Sequence, residues 1–340
     1  MTSFWRFVGR RVFVTLPVLF VITLLGFVLT YLIPADPLSM VLSERAMANP
    51  EIVRAYRERW GLDAPPLVRY LTYVRNLARG DLGMSIATQQ SVMEDLKNFV
   101  PATVELAVAA MVIAVVIGVP LGVIAAVKRE RLTDHLARIG SIIGVSMPVF
   151  WLGLLALAIF YYRLQLAPGP GQLDPHLIPP PQVTGMLVVD SLLAGQWDAL
   201  VDALHHLVLP ALVLGAYVMG TITRVTRSSV LEVLLADYIR TARAKGVAER
   251  VVVFHHALRN ALIPTVTVVG LAFGNLMAGA VMTETIFAWP GIGRYAVDAA
   301  SKLDFPAIMG VTLFVAIVYV VINFIVDITY AFLDPRIRLD

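Results

Sequence analysis

The sequence contains no cysteine, which excludes a disulfide framework, a zinc-thiolate site and a cysteine nucleophile, and leaves the redox compartment unreadable from this residue. Charge is scarce too: charged residues make up 15% of the 340-residue chain, against about 25% in soluble domains. The net charge of +3 is small for this length, and the basic residues are dispersed between apolar stretches instead of gathered on one face, which argues against nucleic-acid binding. Catalytic signatures are missing. No G-x-x-x-x-G-K-S/T phosphate loop surrounds Lys97, Lys128, Lys245 or Lys302, and neither H-E-x-x-H nor G-x-S-x-G occurs. The adjacent pairs His205, His206 and His255, His256 would point about 100° apart on a helix, so they do not converge on a metal. No catalytic and no metal-binding residues are assigned.

Apolar residues are what the chain has in excess, at 58%, above the roughly 45–50% of ordinary domains. Six segments approach the roughly 20 apolar residues with which a helix crosses a bilayer: Val12–Ile33, Thr103–Val127, Ile139–Tyr162, Leu207–Thr223, Leu262–Ile286 and Ile308–Phe332. The first follows Arg10 and Arg11 as a signal peptide would, but it is too long for an h-region and lacks a small-residue cleavage site, so it is read as a retained span. Placing the N-terminus inside puts most of the 27 lysines and arginines in the short cytoplasmic segments, including the seven from Arg224 to Arg259. The expectation is an all-α integral membrane protein with six transmembrane helices and both termini cytoplasmic.

Four regions follow: residues 1–33 with the first span, an extracytoplasmic insert over 34–100, a membrane core over 101–332 and a cytoplasmic tail over 333–340. In the insert, Asn49 and Pro50 signal a helix start, Ile52, Tyr56 and Trp60 share one face, and Gly61 ends the pattern. A second helix is expected after Pro65 and Pro66, with Leu67, Leu71, Val74 and Leu77 on one stripe and a stop at Gly80. These two helices pack on the outer mouth or lie in the headgroup plane. "APGPGQLDPHLIPPP" at 167–181 is expected to be an irregular outer loop, with His176 solvated.

The loop after the fourth span, 224–260, is different. A helical pattern runs from about Ser228 to Lys245, Gly246 allows the chain to reverse, and "ERVVVFHHALRNALIP" forms a second helical run into the fifth span. This layout resembles the cytoplasmic signature of permeases of binding-protein-dependent ATP-binding-cassette importers, which reads E-A-A, three residues, G, nine residues, an apolar residue, a spacer and Leu. Aligned on Gly246, it falls on Arg240, Thr241 and Ala242 and then on His256, Ala257 and Leu258; Ala242, Gly246 and Leu258 match. "DYIRTARAKG" followed by "HALRNALIP" is similar to the variant of dipeptide and oligopeptide permeases. "IPADP", "GDLG", "PATVEL", "MPVFW", "TRSSVLEVL", "TETIFAWPGIG" and "DPRIR" extend the likeness along the chain to the dipeptide-type permease with a large outer loop after its first span.

That resemblance implies a type I importer permease fold with a small helical extracytoplasmic insert after helix 1, a coupling helix near 236–246, and residence in the bacterial inner membrane. It implies a second homologous permease chain, two ATPase subunits and an extracytoplasmic substrate-binding protein as partners, a peptide as substrate, and ATP with Mg on the ATPase subunits, with no cofactor in this chain. Nickel chelates, glutathione and longer peptides are alternative solutes within the same family. The coupling residues would be Asp237, Tyr238, Arg240, Thr241, Ala242, Arg243, Ala244, Lys245 and Gly246, with Tyr238 as an aromatic anchor and Arg240, Arg243 and Lys245 as charge for an acidic cleft rim.

Polar residues within spans are functional candidates because lipid burial is costly. Asn275, Glu284, Trp289 and Asn323 are candidates for the translocation pathway, with packing roles as the alternative, and Asp327 shares a helical face with Asn323. "AWPGIG" at 288–293 reads as a re-entrant, gate-like segment or an interfacial turn anchored by Trp289. A secondary transporter would need inverted repeats and paired intramembrane acids, an intramembrane enzyme a convergent catalytic set; neither pattern is evident. A purely structural membrane subunit would not need the coupling-type loop.

Overall fold

The computed structural model describes residues 17–28, 47–60 and 64–333, with Gly9 and Phe13 as isolated positions. Among the described residues the fold is all-helical, with one isolated bridge, Met84 to Ser91. In chain order the helices are α1 (Pro17–Val28), α2 (Pro50–Trp60), α3 (Pro66–Ala78), α4 (Val92–Val127), α5 (Leu132–Ser146), α6 (Val149–Ala156), α7 (Leu187–Leu193), α8 (Trp197–Leu234), α9 (Asp237–Ala244), α10 (Glu249–Val251), α11 (Leu258–Gly279), α12 (Val281–Ile286), α13 (Ile292–Ser301) and α14 (Phe305–Leu333), with π-helical segments at Leu157–Arg163 and Val252–Ala257. Among the described residues, four helices are long and apolar enough to cross a membrane, and a bent pair makes up to five. Of the first expected span, Val12–Ile33, Phe13 and Pro17–Val28 are described and the rest lies outside the described residues, as do Gly61 and the "DPRIR" tail; the side chains of Tyr56, Trp60 and Asp327 are likewise outside them.

The chain divides into two compact units, residues 1–100 with 294–320, and residues 101–293 with 321–339. In the first, the Asn49 side chain accepts the Glu51 N–H at 3.0 Å, as its expected capping role requires. α3 stops at Gly80, whose φ of +79° lets the chain reverse. The expected stripe on α3 is displaced, however. Leu67 and Leu71 are exposed, and Tyr70 is buried instead, its ring edge-on to Phe20 and Phe27 of α1 and its hydroxyl 3.1 Å from that of Thr23. An aromatic ring with a polar tip serves this site better than a leucine because the Thr23 hydroxyl is also buried. Beyond α3, two buried carboxylates join distant segments. Asp95 accepts from the hydroxyls of Thr88 and Tyr295, both at 2.7 Å, and Asp304 from the Ser85 hydroxyl at 2.5 Å and the Ala87 N–H at 2.9 Å.

The second unit is organised by α8, which buries residues along its length. Small residues allow α4 and α5 to approach its backbone. A Cβ added to Gly122 would come within 2.7 Å of the Thr223 carbonyl, and one on Gly220 within 2.7 Å of the Ser141 carbonyl. Apolar contact area cannot drive association inside lipid, so such close approach, together with interhelical polar pairs, must hold the helices together. The pairs are present: the Thr226 and Thr265 hydroxyls lie 3.0 Å apart between α8 and α11, and Arg227 of α8 grips Asp134 of α5 through Nε at 2.6 Å and Nη2 at 2.8 Å.

The third expected span is not one straight helix. α5 ends at Ser146, Met147 is extended with ψ of 131°, and the chain resumes at Val149, with a 109° bend between the two arms. Pro148 explains the break, since it lacks an N–H and pushes the residue before it out of the helical region. The fifth is also divided: α11 ends at Gly279 and the shorter α12 carries Glu284. The chain is irregular from Ala167 to Met186, as expected of this loop, and His176 is exposed. Asp190 of α7 fastens its end by accepting the N–H groups of Val183, Thr184 and Gly185 and the Thr184 hydroxyl. Burial raises the affinity of this carboxyl for its proton, but the hydrogen bonds, those of Thr184 foremost, outweigh burial and hold it below the usual carboxylate range.

Candidate functional site

The segment expected to couple, Asp237–Gly246, opens with a separate helix. α8 ends at Leu234, Ala236 is extended with ψ of 148°, and α9 starts at Asp237. The pattern expected to run unbroken from Ser228 to Lys245 is therefore interrupted at Leu235 and Ala236. At its other end the Gly246 N–H donates to Arg243 O at 3.0 Å and the Val247 N–H to Ala242 O at 3.2 Å, the two bonds of a Schellman stop. Gly246 has φ of +76°, and an added Cβ there would meet nothing within 4 Å. Glycine is thus required by backbone geometry rather than by space.

One residue absent from the sequence-derived set anchors this helix. Ile239 is fully buried with Val252 and Ala257, flanked by Val233, Leu234, Ala242 and Val247. Ile239 and Ala242 lie three apart and so on one face of the helix; that spacing was the available signal, and the surrounding charges masked it. With Ile239 inward, Asp237, Tyr238, Arg240, Thr241, Arg243, Ala244, Lys245 and Gly246 are exposed and Ala242 is half-buried.

The three basic residues differ in what they can offer a partner. Arg243 closes the chain reversal, giving Nε at 3.1 Å and Nη2 at 2.6 Å to the Glu249 carboxylate. That hydrogen bond raises the pKa of Arg243 and lowers that of Glu249. Arg240 makes only a loose 3.4 Å contact with Asp237, both side chains being largely in solvent, and Lys245 has no ion pair among the described residues. Tyr238 keeps 45% of its surface exposed while its hydroxyl accepts from Asn260 Nδ2 at 2.9 Å. The result is an exposed ridge with an aromatic residue and two available cations, on a base fixed by Ile239 and the Arg243–Glu249 clamp.

The pathway candidates fall into two groups. Asn275 of α11 is exposed and Asn323 of α14 half-buried, whereas Glu284 and Trp289 are enclosed, at 0% and 1% exposure. The Glu284 carboxylate accepts the Thr103 hydroxyl at 2.6 Å and the Gly293 N–H at 2.7 Å, Thr103 in turn accepts the Ile292 N–H at 2.9 Å, and the Trp289 indole donates to Ala102 O at 2.8 Å. "PATVEL" and "TETIFAWPGIG", far apart in sequence, are thus two halves of one buried polar knot. Gly291 completes it, since a Cβ there would overlap the Glu284 carboxylate. Thr103, missing from the sequence-derived set, is the hinge of this network. Among the described residues no group of three or more His, Asp or Glu side chains could hold a metal.

Comparison with known proteins agrees with this architecture. Residues 118–339 match the family described as "Binding-protein-dependent transport system inner membrane component", and residues 4–107 match the N-terminal region of binding-protein-dependent transport system membrane components. The chain is 46% identical over 335 residues to the probable D,D-dipeptide transport system permease protein DdpB of Escherichia coli (strain K12), covering 98% of each chain. It is 47% identical over 332 residues to the di/tripeptide transport system permease protein DppB of Pseudomonas aeruginosa (strain UCBPP-PA14), again 98% of each. A glutathione transport system permease protein, GsiC of Escherichia coli O6:H1, is 35% identical over 98% of this chain and 99% of its own length. The chain belongs to the family of inner membrane permease components of binding-protein-dependent transport systems.

Proposed function

We propose that this chain is the transmembrane permease subunit of an ATP-driven importer of dipeptides or short oligopeptides, coupled through residues 224–260 to ATPase subunits that carry the ATP and Mg chemistry. The observation that carries the coupling role is the exposed Asp237–Gly246 ridge, whose base is buried through Ile239 while its polar side chains have no burial to account for them. The peptide substrate is supported by the names of the relatives sharing 46–47% of its residues, against 35% for the glutathione permease.

In this reading six helices span the inner membrane, the first being the retained segment at 12–33, with both termini cytoplasmic and residues 34–100 outside. A second permease chain completes the pathway, two ATPase subunits bind the paired coupling helices, and a separate binding protein delivers the peptide. ATP-driven closure of the ATPase pair draws the coupling helices together and opens the pathway outward; hydrolysis returns it inward. Asn275 and Asn323 line the pathway. Glu284 and Trp289 bear on it by fixing the shape of the 287–293 segment, since their polar atoms bond within that segment and to α4.

The test is gentle detergent extraction from the native membrane, identification of co-purifying proteins by mass spectrometry, and uptake of labelled dipeptide and glutathione by the recovered assembly. A second permease, ATPase subunits and preferential dipeptide uptake are expected. A stable chain without any ATPase would contradict the proposal and favour an ion-driven transporter.

A further inference from the structure

Three arginines converge on one cavity between α5 and α8. It has a volume of about 460 Å³ and is lined by Arg138, Ser141 and Ile142 of α5 and Thr223, Arg224 and Arg227 of α8, within the range of about 300–1,000 Å³ typical of small-molecule sites. A single buried carboxylate answers them. Asp134, 1% exposed, takes Nε and Nη2 of Arg227 and also the Glu130 N–H at 3.0 Å. Its acceptor capacity is largely spent on those bonds. Arg138 acts on Asp134 through space alone and Arg224 has no hydrogen bond or ion pair among the described residues, so three guanidinium groups face one carboxylate and the cavity carries a surplus of positive charge.

The remaining polar groups narrow the ligand. The Ser141 hydroxyl donates to Ala137 O at 2.7 Å and that of Thr223 to Met219 O at 2.8 Å. Binding would therefore fall to the guanidinium groups, whose planar forks match phosphate oxygens. Of the exposed apolar side chains of α5, Ile142 lines the cavity. A purely aqueous anion would gain nothing from that side chain, whereas a molecule with a charged head and acyl chains would use both features. Basic pockets between membrane helices suit anionic phospholipid headgroups in this way.

We propose that Arg138, Arg224 and the Nη1 edge of Arg227 form a binding site for a phosphate group, with an anionic phospholipid as the source favoured by Ile142 on the cavity wall and by the setting between two membrane helices. The site stands independently of the transport reading, because lipid binding is measured without uptake.

The experiment is native mass spectrometry of the full-length chain in detergent, titrated with phosphatidylglycerol and, separately, with phosphatidylcholine. Thermal unfolding with and without inorganic phosphate accompanies it. The variant Arg138→Gln/Arg224→Gln is compared with Lys128→Gln/Arg131→Gln, which removes the same charge from the neighbouring loop. The pocket variant should lose phosphatidylglycerol affinity by about thirtyfold, roughly fivefold per arginine, with phosphatidylcholine binding and the loop variant little changed. Stabilisation of the wild type by inorganic phosphate, lost in the pocket variant while phosphatidylglycerol binding is unaltered, would assign the same site to soluble phosphate. Equal behaviour of the two variants in both measurements would overturn the proposal. Should the Gln variant fold poorly, Arg138→Lys/Arg224→Lys keeps the charge but loses the fork; undiminished phosphatidylglycerol affinity there would also overturn it.

Discussion

Asp237–Gly246 and Glu284–Gly293 are both ten-residue stretches that place charge in an apolar chain, and both end in glycine. In the first the fully buried side chain is an isoleucine, and the charged groups face outward. In the second the fully buried side chains, Trp289 among them, include a carboxylate, and backbone and hydroxyl donors close around it. The glycines differ accordingly: Gly246 is needed for its positive φ in open space, Gly291 because any side chain would overlap Glu284. The first region leaves its charged groups in solvent, as the proposed contact with an ATPase subunit requires, and the second holds its own backbone in one shape. A charged residue beside a membrane span does not by itself tell the two roles apart, because Arg240 and Glu284 are both functional candidates on sequence grounds.

If the comparison is right, the largest effect comes from the enclosed knot. Glu284→Ala would leave the Thr103 hydroxyl and the Gly293 N–H buried without their acceptor, at about 1–3 kcal/mol each. It should lower the melting temperature of the purified chain clearly, and Glu284→Gln, which keeps one acceptor oxygen, should lower it less. Equal melting of Glu284→Ala and wild type would show that the knot is not structural.

Next in size, Ile239→Ala should cost about 2–5 kcal/mol, but locally. Limited proteolysis near 237–247 should accelerate while the melting of the whole chain moves little, and in the assembled transporter ATP hydrolysis should continue without uptake. A smaller effect is expected at Gly246. Replacement by Ala forces a left-handed conformation costing about 1–2 kcal/mol, while Asn, which tolerates that region, should retain more coupling. Steric crowding would instead predict that Asn is the worse of the two.

The smallest effect concerns pH. Glu249 is held below its usual pKa by Arg243, so its contribution is present above the unfolded value of about 4.3 and lost as pH falls through the lower folded value. Both side chains are substantially exposed, at 43% and 57%, which limits the contribution to about 1 kcal/mol or less. Protection of the Val247 amide, relative to its intrinsic exchange rate at each pH, should fall in that acid window, and Glu249→Gln should remove this fall.

Much of this was legible in the sequence, for identifiable reasons. The helix starts at Asn49 and Pro50, the stops at Gly80 and Gly246 and the irregular 167–181 loop follow from local backbone chemistry, which a sequence states directly. The bend at Pro148 was equally local, but the length of the apolar run masked it. The displaced stripe on α3, the anchor at Ile239 and the joining of Thr103 to Glu284 depend on what lies across space, and residues 181 apart in sequence give no periodic signal for their contact. The Arg243–Glu249 clamp falls between these cases: charge alone suggested a partner-facing arginine, and only the chain reversal at Gly246 turns it inward on its own loop.

The account's central claim is that the Asp237–Gly246 ridge contacts an ATPase subunit. Because the chain has no cysteine, a single cysteine at Lys245, with Ile178→Cys in the exposed outer loop as control, would be a unique attachment point for a thiol-directed photo-crosslinker in the assembled transporter. The account predicts an adduct between position 245 and an ATPase subunit whose yield changes with ATP, and none from position 178. An intact assembly in which position 245 yields no ATPase adduct would contradict it.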